Sequence, residues 1–224
     1  MRFIVRFIST FLFLSLSVIY IISFFHIKHP YPFNPSNKIF WFLAGFIFYF
    51  PIHYVFRKAI ILHIFSHELS HALWSMLFGG KVDEMYISRS RGGFTRYSRG
   101  NFLVTLAPYF FPLYSLIFLG LAFIAKENYG APFVFLCGIS TSFHILLTVY
   151  SIKIGQPDLR KEGIAFSLSF IILMNILILG TVFLWFSNQG EIKNFLFSGI
   201  IIFKDYFLNV IYYVVSYLRN ILRF

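Results

Sequence analysis

An all-helical bundle that crosses a bilayer several times, with one short β-hairpin at the membrane surface, is the fold class this sequence predicts. Three observations predict it. Hydrophobic residues make up 58% of the chain, and charged residues only 12%, about half the charged share of an ordinary soluble domain. The mean hydropathy is +0.77. The apolar residues fall in long continuous runs, each near the roughly 20 residues a helix needs to span the hydrocarbon core. They do not alternate with polar residues as the strands of a membrane barrel would. About six to seven transmembrane helices are expected.

The first run covers residues 7–25, behind Arg2 and Arg6. It is long, and no small-x-small cleavage site follows it, so it reads as a retained span rather than a signal peptide. Residues 26–38 hold Pro30, Pro32 and Pro35 and form a loop. A second run, 39–56, contains Pro51 as a kink and is interrupted by Arg57 and Lys58. A third helix covers 59–78, and Gly79-Gly80 ends it, because glycine tolerates the left-handed backbone of a helix terminus. Residues 81–87 and 93–98 read as two short strands, with 88–92 turning between them. The fourth run is 102–125, with Pro108 and Pro112 near its start. Lys126-Glu127-Asn128 makes a tight polar turn, and the fifth run covers 131–152. The polar loop 153–163 includes Gln156-Pro157-Asp158. The sixth run is 164–186 and, after 187–194, the seventh is 195–218. The chain divides into N-terminal spans (1–58), a core (59–186) and a C-terminal span (187–224), with no room for a separate soluble domain.

The net charge is +11. The basic residues are scattered over short loops, which suits anionic headgroups and topology signals rather than nucleic acid. The lipid bilayer is therefore the expected partner. If all seven runs cross, the loops 81–100 and 153–163 share a side with the carboxyl end. That side carries Lys81, Arg89, Arg91, Arg96, Arg99, Lys153, Arg160, Lys161, Arg219 and Arg223, which makes it cytoplasmic. The same count puts Arg2, Arg6, Arg57 and Lys58 on the opposite side. The single cysteine, Cys137, cannot form an internal disulfide or build a thiolate metal site alone. Much Phe, Ile and Lys with little Ala suggests an AT-rich bacterial genome, and with it the bacterial inner membrane.

Chemistry concentrates in the third helix, where His67-Glu68-Leu69-Ser70-His71 spells H-E-x-x-H. Residues four apart share a helix face, so His67 and His71 can direct both imidazoles at one metal ion. Glu68 lies beside that face, where it can accept a proton from a metal-bound water. Ionisable groups inside a membrane helix are costly, and three in one turn need a function. A catalytic zinc site uses three protein ligands and a water. Two residues are candidates for the third ligand. Asp158 lies on the same side of the membrane, beside Pro157, which suits a helix start. His144 lies on the fifth run, about 12 Å from its 152 end, while His71 lies about 10 Å inside its own helix end. His144 could instead hydrogen-bond an oxyanion. His63, one turn before His67, reads as a supporting residue, and Asn175 as a helix–helix contact.

His67-Glu68-Leu69-Ser70-His71-Ala72-Leu73, then Phe78-Gly79-Gly80-Lys81-Val82, then the Gly92-Gly93 hairpin, together resemble the site-2 protease (peptidase M50) family, especially its small M50B-like branch. The resemblance covers roughly residues 60–170. It implies a zinc metalloendopeptidase working within the membrane, with Zn2+ held by His67, His71 and Asp158, Glu68 as catalytic base, and membrane-spanning or membrane-proximal protein segments as substrates. Better-known members carry an Asp-Gly pair in an Asn/Pro-rich stretch at the third ligand; here the chain reads Gln156-Pro157-Asp158-Leu159, with Gly163 further on, so His144 stays open as the alternative. The other function open to such a chain is a catalytically inactive zinc-binding relative that serves as a binding or scaffold protein.

Overall fold

The computed structural model describes residues 2–30, 33–55, 60–125 and 130–221. Pro32, the Arg57-Lys58 interruption and the 126–128 turn lie outside the described residues. The elements are α1 (Arg2–His26), α2 (Lys38–Val55), α3 (Ile60–Leu77), β1 (Val82–Ser88), β2 (Gly92–Tyr97), α4 (Phe102–Phe110), α5 (Leu113–Ile124), α6 (Gly130–Ile154), α7 (Pro157–Glu162), α8 (Ile164–Ser187) and α9 (Ile192–Ile221), with a 3-10 turn at Gln189–Glu191 before α9. Among the described residues, five helices are long and apolar enough to cross a membrane, or six if α4 and α5 count as one bent span. The chain is an all-helical polytopic membrane protein with one two-stranded sheet.

Aromatic packing ties α1 to α8. Phe13 meets Phe166 and Phe170, and eleven residues on, Phe24 meets Phe183, so the two helices run in the same direction. α9 joins the far end of α1, where Tyr20 Oη donates to the Leu196 carbonyl at 2.9 Å and its ring meets Phe195. α2 and α6 pack through small residues. A Cβ on Gly45 would collide with the Phe135 carbonyl, and one on Gly138 with the Phe42 carbonyl. Without a hydrophobic force between helices in lipid, such close backbone approach supplies the attraction through dispersion.

The fourth apolar run is a correction to the sequence expectation. It is two helices, bent by 66° between Phe110 and Leu113. Pro112 has no N–H to continue the helix and its ring blocks the preceding turn. Asn101 caps α4 by accepting the Val104 N–H at 3.0 Å, as a short polar side chain does at a helix start. A second correction concerns the loop 153–163, which contains the helical turn α7 with Pro157 at its first position. Leu159 of α7 is buried with Leu106, Tyr109, Phe110 and Phe170. That cluster fixes α7 against α4 and α8.

The third correction is topological. Arg6 makes an ion pair with Glu162 at 2.9 Å, so α1 begins at the same end of the bundle as α7. Strict alternation of seven spans had put Arg6 at the other end. The motif helix α3 is not among the helices apolar enough to span, and it packs on α4, α5 and the hairpin.

β1 and β2 pair antiparallel, with Met85 opposite Thr95, Tyr86 opposite Phe94 and Ser88 opposite Gly92. The hairpin follows α3 directly. Gly79, at φ 72°, lets the chain turn back so that the Gly80 N–H reaches the Ser75 carbonyl at 2.9 Å.

Candidate metal centre

α3 presents His63, His67 and His71 on one face. The ring centroids of His63 and His67 are 5.9 Å apart and those of His67 and His71 are 5.0 Å apart. α7 brings Asp158 to this face, a sequence distance only tertiary packing could close. Asp158 Oδ2 lies 3.4 Å from His67 Nε2 and 3.4 Å from His71 Nε2. His67, His71 and Asp158 each offer a ligand atom, and all three atoms lie within 4.8 Å of one another. They are the one such group of three among the described residues.

The two 3.4 Å separations fit a zinc ion. Zinc–ligand bonds of about 2.0–2.1 Å in a tetrahedron give ligand–ligand edges of about 3.4 Å. The tautomer of His71 fits as well. Its Nδ1 lies 2.9 Å from the Val104 carbonyl, which can only accept. Nδ1 therefore carries a hydrogen, and Nε2, which lies 3.4 Å from Asp158 Oδ2, is the nitrogen placed to meet an ion. Such a bond orients a ligating imidazole and raises its basicity. Tyr109 supports the carboxylate: its hydroxyl donates to Asp158 Oδ2 at 3.3 Å, and its ring meets the edge of His67 at 5.4 Å.

Burial would raise the Asp158 carboxyl. The two imidazoles beside it, His67 and His71, outweigh burial and hold it well below the usual carboxylate range. The imidazole side chains are 11% and 7% exposed, and Asp158 is 25% exposed, so the site is sunken but open on the α7 side.

Glu68 is buried. Its Oε2 accepts from Thr95 Oγ1 of β2 at 2.8 Å. His71 stacks on Tyr97, two residues further along the same strand, with centroids 6.1 Å apart. Burial first, then the charge of Asp158, push the Tyr97 hydroxyl above its ordinary range.

The structure leaves His144 outside the His67, His71 and Asp158 group. Its Nε2 lies 3.1 Å from Asn175 Oδ1, an acceptor, so that nitrogen is the donor. Asn175 Nδ2 in turn donates to the Tyr109 carbonyl at 2.8 Å. Tyr109 sits just before the α4–α5 break, and Asn175 satisfies a carbonyl at that break. His144 thus reaches the centre through two intermediaries. His63 Nε2 pairs with Ser151 Oγ of α6 at 2.9 Å.

Sequence reasoning missed Tyr109, Thr95, Tyr97 and the Val104 carbonyl. A period-two reading of β2 offered a signal for two of them, since 93, 95 and 97 must share one face. Nothing local marks Tyr109 or Val104.

A family model described as Peptidase M50B-like matches residues 40–216, most of the chain. No curated protein and no solved structure matches it.

Proposed function

Because the chain belongs to the Peptidase M50B-like family, we propose that it is a zinc-dependent intramembrane endopeptidase that cuts membrane-spanning or membrane-proximal segments of other proteins. The observation that carries this reading is the pair of 3.4 Å separations that join Asp158 to both motif histidines. His67, His71 and Asp158 would hold the ion. Zinc, when bound, would supply a Lewis acid that makes water a nucleophile near neutral pH and polarises the scissile carbonyl.

The chain's own residues do the rest. Val104 and Tyr109 fix the ligand side chains from behind. Glu68 takes the proton of the attacking water and returns it to the leaving amine. A substrate helix hides its carbonyls in hydrogen bonds and must unwind before Glu68 can act beside one. The basic residues near the motif end, among them Arg6, Arg96, Arg99 and Arg160, favour a cytoplasmic-facing site in a bacterial inner membrane.

The test is cleavage of a spanning substrate in proteoliposomes. The wild type should cleave, and Glu68→Gln should keep zinc while losing about 10²- to 10⁴-fold in rate. A wild type that is fully loaded with zinc and silent against both spanning and juxtamembrane substrates would refute the enzyme and leave a zinc-binding scaffold protein.

A further inference from the structure

One face of β2 is matched, residue by residue, to the motif helix. Side chains two apart on a strand point the same way, so Gly93, Thr95 and Tyr97 form one row. Gly93 lies over Ile64 and Glu68. A Cβ there would come within 2.6 Å of Ile64 Cγ2, 2.7 Å of Glu68 Cγ and 2.9 Å of Glu68 Oε1. Its φ is not in the left-handed region, so the position calls for glycine through close approach alone. Thr95 meets Glu68, and Tyr97 lies over His71.

Thr95 Oγ1 is 2.8 Å from Glu68 Oε2 and 3.0 Å from the Glu68 backbone carbonyl. The hydroxyl has one hydrogen and two acceptors, both on Glu68. The carboxylate oxygen is the nearer acceptor, and bonds to ionised acceptors are the stronger kind. Thr95 is also β-branched, so its χ1 is stiff and the hydroxyl is held in one direction. Gly93, with no side chain, leaves the Oε1 side of the carboxylate clear.

We propose that Thr95 is the positioning residue for Glu68, with Gly93 supplying the clearance, so that β2 sets the rotamer of the catalytic base. The inference rests on the proposed protease reading for its effect on rate, and on the geometry alone for the bond. The hairpin is then part of the catalytic apparatus. Oε2 is tied to the strand, and the remaining carboxylate oxygen is the one available to take a proton.

Thr95→Val removes the hydroxyl and keeps the shape, whereas Thr95→Ser keeps the hydroxyl. In proteoliposomes, Thr95→Val should lower kcat about 10- to 100-fold, the size of a hydrogen bond to a charged group. KM and zinc content should be unchanged, and Thr95→Ser should recover most of the rate. A second readout is independent of turnover. In infrared difference spectra, the carboxylate band that Glu68→Gln removes should shift in Thr95→Val and stay in place in Thr95→Ser. Wild-type kcat in Thr95→Val, or an unshifted Glu68 band, would overturn the inference. So would loss of zinc in Thr95→Val together with a Thr95→Ser variant that behaves like it, because the hydroxyl would then be only structural. A silent wild type with a shifted band would sink the protease reading and leave the Thr95–Glu68 bond standing.

Discussion

Replacing Asp158 with alanine removes the single anionic member of the proposed ligand set. The magnitude follows from the site. Asp158 Oδ2 faces both histidine nitrogens at 3.4 Å, so without it two imidazoles on adjacent helical turns hold the ion alone. Loss of a residue behind the ligands already costs about 10- to 100-fold in metal affinity. Loss of a ligand should therefore exceed about 100-fold, or roughly 2.8 kcal/mol at 1.4 kcal/mol per decade. His144→Ala is the matched control. It deletes the bond to Asn175 Oδ1, and interhelical hydrogen bonds in membranes average about 0.6 kcal/mol. It should keep zinc and lose only one or two degrees of thermal stability, at about 2–4 °C per kcal/mol for a chain of this size. The assay is zinc per chain after dialysis against a graded series of chelator. If Asp158→Ala retains zinc and His144→Ala loses it, the third ligand is misassigned and the reasoning fails.

Tyr109→Phe deletes the hydroxyl that donates to Asp158 Oδ2; chelator competition should show zinc affinity falling about 10- to 100-fold, with the fold intact. Gly138→Val puts a branched side chain against the Phe42 carbonyl and the Phe46 amide; it should separate α2 from α6 and lower thermal stability by about 1–3 kcal/mol or more, the usual cost of overpacking. Stripping the protein with a strong chelator should abolish cleavage, and one equivalent of zinc per chain should restore it, as titration against a spanning substrate would show.

The parts legible in the sequence were those written locally. Apolar runs gave the helices, Gly79 gave the end of α3, and two short strand-like runs around a turn gave a hairpin whose strands fall within one residue of the expected bounds. The i, i+4 spacing put His67 and His71 on one face before any fold was known. What stayed hidden was written in packing. The 66° break at Pro112 looks from sequence like a tolerable kink, because proline is compatible with a membrane helix when neighbours satisfy the freed groups. Only Asn175, reaching the Tyr109 carbonyl from α8, shows that a neighbour does so here. The Arg6–Glu162 pair spans 156 residues, and no local pattern could signal it.

The polar groups of the bundle are paired differently at the centre and around it. In a low-dielectric interior an unpaired polar group is costly; among the described residues, Trp74 Nε1 and Ser142 Oγ are buried without a partner, but the polar groups around the centre are paired. His63 holds Ser151, His144 holds Asn175, Asn175 holds Tyr109, and Ser75 holds the Arg99 carbonyl at 2.7 Å. Each of those bonds measures 2.7–3.1 Å. The contacts that join Asp158 to His67 and His71 are longer, at 3.4 Å each, past the preferred range for a hydrogen bond. Yet both histidines are nearly sealed from solvent, and Val104 and Tyr109 hold them in place from behind. Asp158 stands from each of them at the edge length of a zinc tetrahedron.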